Sequence, residues 1–196
     1  MAYGLFGPLI GGLYVFGLLL GVVYSVPPFR LKRSAVAAAL IIATVRGFLL
    51  NFGVYYAARA MLKVPFSWSS PTAYMTCFGV VFALVIAVTK DLPDVEGDIK
   101  GKVGTFATRF GVGKVSFVAS AVLVANYASC LIWGLGPVRA AFRPQVLITS
   151  QAVLAGLLIQ AWLRLRAARF TQSATKTFYG RIWFNFYTQY LLFPFI

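Results

Sequence analysis

The chain has 196 residues, of which 60% are hydrophobic and 11% are charged, and 18 Lys and Arg against four Asp and Glu give a formal net charge of +14. A water-soluble domain of this length needs more polar surface than this composition supplies, so the sequence predicts a polytopic helical membrane protein. The bases lie in short stretches between apolar runs. This argues against nucleic acid and favours anionic lipid headgroups or an anionic ligand as partners.

Six apolar stretches predict six transmembrane helices, because about 20 apolar residues cross a bilayer. The predicted spans are 3–24, 34–60, 71–89, 115–135, 145–163 and 178–196. The chain, 1–196, is accordingly predicted to be a single all-α transmembrane domain. The loops after the first, third and fifth helices hold most of the Lys and Arg. The positive-inside rule therefore places these loops on the cytoplasmic side, or on the equivalent stromal side of a plastid membrane.

All four acidic residues lie in one stretch, "TKDLPDVEGDIKG", directly after the third apolar run. Asp91, Asp94 and Asp98 follow the pattern D-x-x-D-x-x-x-D, which on a helix forms one stripe, while Glu96 points away. Crowded carboxylates repel one another unless a hard cation holds them, and Mg²⁺ is commonly bound by one or two carboxylates together with substrate phosphates. The pattern predicts a metal site; the alternative is a solvated acidic turn.

A basic stretch, "YSVPPFRLKR", lies on the same predicted side of the membrane as the aspartates. Arg30, Lys32 and Arg33 could contact a diphosphate directly, because its charge rises as the ester bond breaks. Juxtamembrane bases are also the ordinary orientation signal of a membrane protein, however, and need no ligand for that role.

Arg46 lies in the second apolar run, "LIIATVRGFLLNFGVYYAARA". An arginine at bilayer depth is unfavourable unless it faces a cavity or a partner. The sequence therefore predicts that Arg46 binds a ligand, and Asn51, five residues on, could share the cavity. Structural pairing is the alternative. Most aromatic residues of this helix and of the C-terminal run are expected to face lipid, and a few could stabilise a carbocation with their ring faces.

The motif "KDLPDVEGDIKGKVGTFATRFG" resembles the second aspartate-rich motif of the UbiA superfamily of intramembrane prenyltransferases. The stretches "YSVPPFRLKR", "RGFLLNFGVYYAARA" and "FNFYTQYLLFPFI" are similar to the plastid homogentisate prenyltransferases, above all the branch that transfers solanesyl. The resemblance covers essentially the whole chain. It implies a nine-helix bundle in which two aspartate-rich motifs face each other across a central cavity and bind Mg²⁺ and diphosphate.

The resemblance also implies a reaction. A polyprenyl group, solanesyl in the first place, would pass from a prenyl diphosphate to homogentisate with loss of CO₂, in plastoquinone biosynthesis. Phytyl or geranylgeranyl transfer to homogentisate, in the tocopherol branch, is the alternative, and an inactive membrane fragment or scaffold is another. The CDP-alcohol phosphotransferases also place spaced aspartates at a membrane face, but their D-G-x-x-A-R element is absent here.

Carried over to this sequence, the resemblance implies that Asp91, Asp94 and Asp98 are catalytic and hold Mg²⁺. It implies that Arg30, Lys32 and Arg33 bind the diphosphate and that Tyr24 supplies a hydroxyl to the cavity. Arg46 and Asn51, inferred above from their place in an apolar run, complete the set of predicted substrate-binding residues. The implied location is a plastid envelope membrane with the aspartates on the stromal side. No protein partner follows from the sequence.

Two features depart from the family pattern. The first aspartate-rich motif is missing, and six predicted spans in place of nine lead us to expect that the N-terminal three helices of the bundle lie outside this sequence. Gln189 also stands where the pattern leads us to expect an acid. The family pattern therefore does not lead us to expect catalysis by this chain alone.

Overall fold

A computed structural model describes residues 7–196, and these residues form helices joined by turns, with no β-strand among them. The chain divides into two compact units, Met1–Leu84 and Val85–Ile196.

The first unit contains three long helical regions. The second of them is one continuous helix whose middle turn is π-helical. The elements are α1 (Pro8–Ser25), a 3₁₀ turn (Leu31–Arg33), α2 (Ala35–Ile42), the π-helical segment (Ala43–Leu49), α3 (Leu50–Met61) and α4 (Ser70–Thr89), which ends in the second unit.

The second unit begins with short helices and continues with long ones. After α4 come a 3₁₀ turn (Leu92–Asp94), α5 (Val95–Lys100), α6 (Phe106–Phe110), α7 (Val112–Ala128), α8 (Cys130–Leu135), a 3₁₀ turn (Arg139–Ala141), α9 (Pro144–Ala167), α10 (Gln172–Leu192) and a last 3₁₀ turn (Phe193–Phe195).

Five helical segments among residues 7–196 are long and apolar enough to cross a membrane: Pro8–Ser25, Ala35–Met61, Ser70–Lys100, Val112–Leu135 and Pro144–Ala167. Five of the six predicted spans are thereby confirmed, although the predicted start of the first, at residues 3–6, lies outside the described residues. The protein is an integral membrane protein.

The sixth predicted span, 178–196, needs correction. The structure has a helix here, but it is α10, which starts at Gln172 and is not among the five apolar segments. The helix is too polar to belong to these five segments, because it contains Lys176, Arg181, Asn185 and Gln189. The helix forms nonetheless, because its Phe178, Ile182 and Phe186 side chains are buried in the second unit and supply its packing face.

A close contact fixes the π-helical segment within the first unit. Gly47 is buried, and a Cβ atom at this position would lie 2.8 Å from the backbone nitrogen of Val80 and 3.0 Å from its Cγ2. Only a residue without a side chain lets the two backbones approach so closely. By contrast, none of the side chains of α1 is buried.

The core of the second unit lies where α9 packs against α7 and α10. The buried apolar side chains recur at intervals of four or seven residues, which places them on one face of each helix. They are Val115, Ala119 and Leu123 of α7, Leu147, Leu154, Leu158 and Leu165 of α9, and Phe178, Ile182 and Phe186 of α10.

Candidate functional site

The acidic stretch is anchored to α10 by its 3₁₀ turn. The Thr89 hydroxyl donates to the Val85 carbonyl at 2.7 Å as α4 ends. Leu92 in the turn is 1% exposed, and the turn packs against α10, where Gln172 Nε2 donates to the Pro93 carbonyl at 3.3 Å. The contacts of this turn with α10 therefore fix the position of the acidic stretch. The aspartates lie at a 3₁₀ turn and on the short α5, not on one continuous helix as the spacing predicts.

The three aspartates differ in exposure but act on one another. Asp91 and Asp98 are half-buried, whereas Asp94 and Glu96 are exposed. The negative charges of Asp98 and Asp94 repel that of Asp91, which Lys90 attracts. The Oδ2 atom of Asp98 is buried and has no hydrogen-bond partner among residues 7–196. A buried carboxylate oxygen without a donor is unfavourable by itself and is well suited to accept a cation.

The arrangement does not form a closed metal cage. Within residues 7–196, no group of three or more His, Cys, Asp or Glu side chains is close enough together to hold a metal ion by itself. Mg²⁺ at a phosphate site usually takes one or two carboxylates and completes its octahedron with phosphate oxygens and water. The half-buried Asp91 and Asp98 therefore fit a metal that is shared with a substrate better than one held by protein alone.

The basic candidates lie in the connection between α1 and α2, in the first unit. Tyr24 and Arg30 are half-buried, and Lys32 and Arg33 are exposed on the 3₁₀ turn. Arg30 has φ 40°, in the left-handed region that non-glycine residues rarely adopt, and its guanidinium has no hydrogen-bond partner within the described residues. Strained backbone in this region is a feature of ligand sites, so it is consistent with the predicted role of Arg30.

Arg46 and Asn51 lie on either side of Gly47. Arg46 is exposed and belongs to the π-helical segment, a type of turn that often occurs at functional sites. Asn51 is half-buried, and its Nδ2 donates to the Gly47 carbonyl at 2.6 Å. Asn51 thus stabilises the π turn to which Arg46 belongs.

The predicted site residues fall into two sets. Asp91, Asp94 and Asp98 belong to the second unit, where the charge of Asp91 interacts with those of the other two. The substrate-binding candidates Tyr24, Arg30, Lys32, Arg33, Arg46 and Asn51 all belong to the first unit.

An aromatic cluster beside α3 includes two residues that the sequence analysis did not single out, Phe66 and Trp68. The Phe52 ring lies 5.6 Å from Phe66 and 5.4 Å from Trp68, centre to centre. Arg59 holds this loop, because its Nη2 and Nε donate to the Pro65 carbonyl at 2.6 and 3.0 Å. The turn-like "KVPFSWSSP" sequence indicated a loop, and only the fold reveals that it packs its rings against α3.

Buried amides form a polar layer inside the second unit, which the sequence analysis missed. Gln151 Nε2 of α9 donates to Gln189 Oε1 of α10 at 2.9 Å, and Asn185 Nδ2 donates to the Leu154 carbonyl at 3.0 Å. Tyr127 of α7 lies beside Asn185. The signal in the sequence is a polar residue on the apolar face of each helix. The family pattern drew attention to Gln189 only as a residue in place of an acid, not as a partner for another amide.

A model of the UbiA prenyltransferase family matches residues 1–186. The chain is 55% identical over 193 residues to a rice protein described as probable homogentisate phytyltransferase 2, chloroplastic; this covers 97% of the chain and 50% of the relative. It is 53% identical over 192 residues to the chloroplastic homogentisate solanesyltransferase of Arabidopsis thaliana, covering 97% of the chain and 49% of the relative.

A cyanobacterial relative is less similar. The homogentisate phytyltransferase of Synechocystis is 37% identical over 198 residues, covering 99% of the chain and 62% of the relative. The chain thus spans about half the length of the curated plant relatives named above. No solved structure matches it.

Proposed function

Because the chain belongs to the UbiA prenyltransferase family, we propose that it transfers a solanesyl group from the prenyl diphosphate to homogentisate. The proposal is supported by 53% identity to a homogentisate solanesyltransferase. Since the chain spans about half of that relative, the activity, the substrates and their binding all belong to the proposal. No protein partner is part of it.

The observation that carries the proposal is the set of interacting aspartates with its unpartnered Asp98 oxygen. Asp91, Asp94 and Asp98 would hold Mg²⁺, which when bound neutralises the diphosphate leaving group. Asp91 and Asp98 are half-buried, so their charges are less screened by solvent than the charge of the exposed Asp94. We expect Asp91 and Asp98 to contribute most to cation affinity.

The basic residues would bind the diphosphate directly. Arg30, Lys32 and Arg33 offer three cations within four residues of chain. Guanidinium groups form paired hydrogen bonds with phosphate oxygens, and such bonds strengthen as the leaving group gains charge. Arg46 would bind a second anionic group of either substrate, with Asn51 holding its turn in shape. The Tyr24 hydroxyl would donate a hydrogen bond in the same site.

The proposed reaction is balanced without a redox cofactor. The carbon–oxygen bond of the prenyl diphosphate breaks, and its electron pair leaves with the diphosphate. The aromatic ring forms the new carbon–carbon bond at a ring carbon next to a hydroxyl group, and that carbon loses its proton as the ring regains aromaticity. The carboxymethyl group on another ring carbon loses its carboxyl as CO₂ and takes up a proton to become a methyl group. Aromatic side chains would stabilise the intermediate allylic cation through their ring faces, at distances below about 6 Å.

The proposed location is a chloroplast membrane, with the acidic stretch on the stromal side. The two plant relatives are described as chloroplastic. The stromal assignment rests on the concentration of Lys and Arg in the loops after the first, third and fifth predicted helices. Cysteine substitution at Lys100, followed by labelling with an impermeant maleimide in sealed envelope vesicles, tests the side of the membrane.

The activity is tested with the chain alone and with a chimera in which it replaces the matching half of the Arabidopsis relative. Membranes receive radiolabelled homogentisate and solanesyl diphosphate, with Mg²⁺ or with EDTA. We expect a Mg²⁺-dependent prenylated product from the chimera. A folded chimera that forms no product with any prenyl diphosphate would refute the proposal.

The metal role is tested in the same chimera with matched carboxylate substitutions. Asp91→Asn removes a half-buried carboxylate, whereas Glu96→Gln removes an exposed one five residues away. We expect Asp91→Asn to weaken Mg²⁺-dependent diphosphate binding by about 10- to 100-fold, as is usual when a metal site loses a supporting residue. We expect Glu96→Gln to change it less than about twofold. Equal effects of the two substitutions would contradict the metal assignment.

Transfer of phytyl or geranylgeranyl is the alternative donor choice, because the chain is also 55% identical to the rice protein described as a probable phytyltransferase. Phytyl, geranylgeranyl and solanesyl diphosphates are therefore compared at equal concentration. The ratio of the kcat/KM values decides which donor the chain prefers, because it reports differential binding of the transition state.

A further inference from the structure

A cleft of about 250 Å³ lies between the last turns of α9 and the first half of α10, in the second unit. Its floor is apolar and includes Leu157, Leu165 and Phe178. α9 is one of the five segments apolar enough to cross a membrane, so a cleft beside its final turns lies where hydrocarbon gives way to the headgroup region. The cleft therefore joins an apolar surface to the membrane interface.

Two arginines line this cleft, one from each helix. Arg164 is exposed near the end of α9, and Arg181 of α10 is half-buried, with its Cζ 4.9 Å from the centre of the Phe184 ring. Neither guanidinium has a hydrogen bond or an ion pair with any residue of the described part of the chain. All four acids of the sequence lie between residues 91 and 98, so α9 and α10 contribute no carboxylate.

We propose that this cleft binds the phosphodiester headgroup of an anionic membrane lipid. Two planar guanidinium groups match the geometry of phosphate oxygens, and the apolar floor accommodates the start of the acyl chains. The bound phosphate would also offset the repulsion between Arg164 and Arg181, which nothing in the cleft wall neutralises. The lipid would thereby stabilise the packing of α9 against α10.

The cleft does not belong to the acidic stretch. Arg181 lies nine residues beyond Gln172, the residue that contacts the aspartate turn, and nine helical residues span about 13 Å along the axis. No aspartate lines the cleft. Lipid binding here would therefore require no divalent metal.

The test is native mass spectrometry of the purified, delipidated chain in detergent, titrated with phosphatidylglycerol and with phosphatidylcholine. We expect tighter binding of phosphatidylglycerol, unaffected by EDTA. Arg164→Gln with Arg181→Gln should weaken it at least tenfold, because two charge-assisted contacts are lost. The matched control is Arg166→Gln with Lys176→Gln, which removes one exposed base from each of the same helices outside the cleft. We expect less than a threefold change for the control.

Folding and specificity are checked in the same samples. If the double glutamine variant is not monodisperse, Ala161→Phe fills the cleft while both arginines remain, and it should give the same loss. Equal losses in the cleft and control variants would overturn the proposal, as would unchanged binding in the cleft variants. Full competition by soluble glycerophosphoglycerol, which has no acyl chains, would show a free phosphate site, and full competition by solanesyl diphosphate would show a substrate site. Either result overturns the lipid assignment.

Discussion

The contact between Gly47 and Val80 makes a sharp prediction about the first unit. Gly47→Ala places a Cβ atom 2.8 Å from the Val80 nitrogen, and closer still to its Cα. Gly53→Ala is the matched control, because it makes the same change in the same continuous helix, where nothing lies within 4 Å of the new Cβ. The two substitutions should therefore act in opposite directions.

The size of the effect follows from the distances. Nonbonded heavy atoms prefer about 3.5–4.0 Å, so the backbones at Gly47 and Val80 must separate by roughly 1 Å. Overpacking of this kind lowers the free energy of unfolding by about 1–3 kcal/mol. Replacing a helical glycine by alanine raises the free energy of unfolding by about 0.5–1 kcal/mol where there is room for the methyl group. We expect Gly47→Ala to lower the free energy of unfolding by about 1–2 kcal/mol and Gly53→Ala to raise it by about 0.5–1 kcal/mol.

Thermal unfolding in detergent, followed by tryptophan fluorescence, measures the difference. For a chain of this size, 1 kcal/mol corresponds to about 2–4 °C in Tm. Gly47→Ala should therefore unfold several degrees below the unsubstituted chain, and Gly53→Ala should unfold at or above it. Equal stability of the Gly47→Ala and Gly53→Ala variants would refute the close approach of the Gly47 and Val80 backbones.

Two further predictions concern the two polar regions of the membrane bundle. Arg46→Leu should weaken binding of the prenyl diphosphate at least tenfold, because a charge-assisted contact is lost; equilibrium binding of a labelled, non-hydrolysable diphosphate measures this. The substitution should change Tm by less than about 2 °C, because Arg46 is exposed and its removal opens no buried cavity. Gln189→Leu should lower stability by about 1–2 kcal/mol, since it leaves the buried Gln151 Nε2 without the acceptor that lies 2.9 Å away. A double-mutant cycle with Gln151→Leu should show a coupling energy of about 0.5–1.5 kcal/mol.

Each of these predictions has a control. Arg59→Leu should show the reverse pattern of Arg46→Leu, with lower stability and unchanged diphosphate binding. Arg59 donates to Tyr55 of its own helix and to the Pro65 carbonyl of the loop that follows. An Arg46 variant that fails to accumulate in membranes, while its binding affinity per folded molecule is unchanged, would make Arg46 structural. Additive effects in the Gln151 and Gln189 cycle would mean that the two amides do not interact.

The helical character of the chain was predictable from local sequence, because a run of about 20 apolar residues has few alternatives to a transmembrane helix. Five spans were confirmed for this reason. α10 was placed six residues too late, and as an apolar span, because the prediction followed hydropathy. This helix forms through burial of one face, including Phe178 and Ile182, and its polar residues are tolerated inside the unit.

Candidate site residues could also be proposed from the sequence, where the type of side chain alone indicates a chemical role. Four acids in eight residues mark one place in the chain whatever its fold. Which carboxylates are half-buried could not be predicted, since that depends on the packing of the Leu92 turn against α10. For the same reason the cleft between α9 and α10 was invisible: Arg164 and Arg181 are 17 positions apart in the chain.

Composition and the local order of residues thus determined that this protein lies in a membrane, that it is helical and where its negative charge is concentrated. These properties depend on transfer of side chains between water and lipid, which is additive along the chain. Only the tertiary structure decided that Gly47 lies against Val80, that Gln151 reaches Gln189 and that two arginines share a cleft. Contacts between distant residues depend on how helix faces pack against one another, and no single stretch of sequence contains that information.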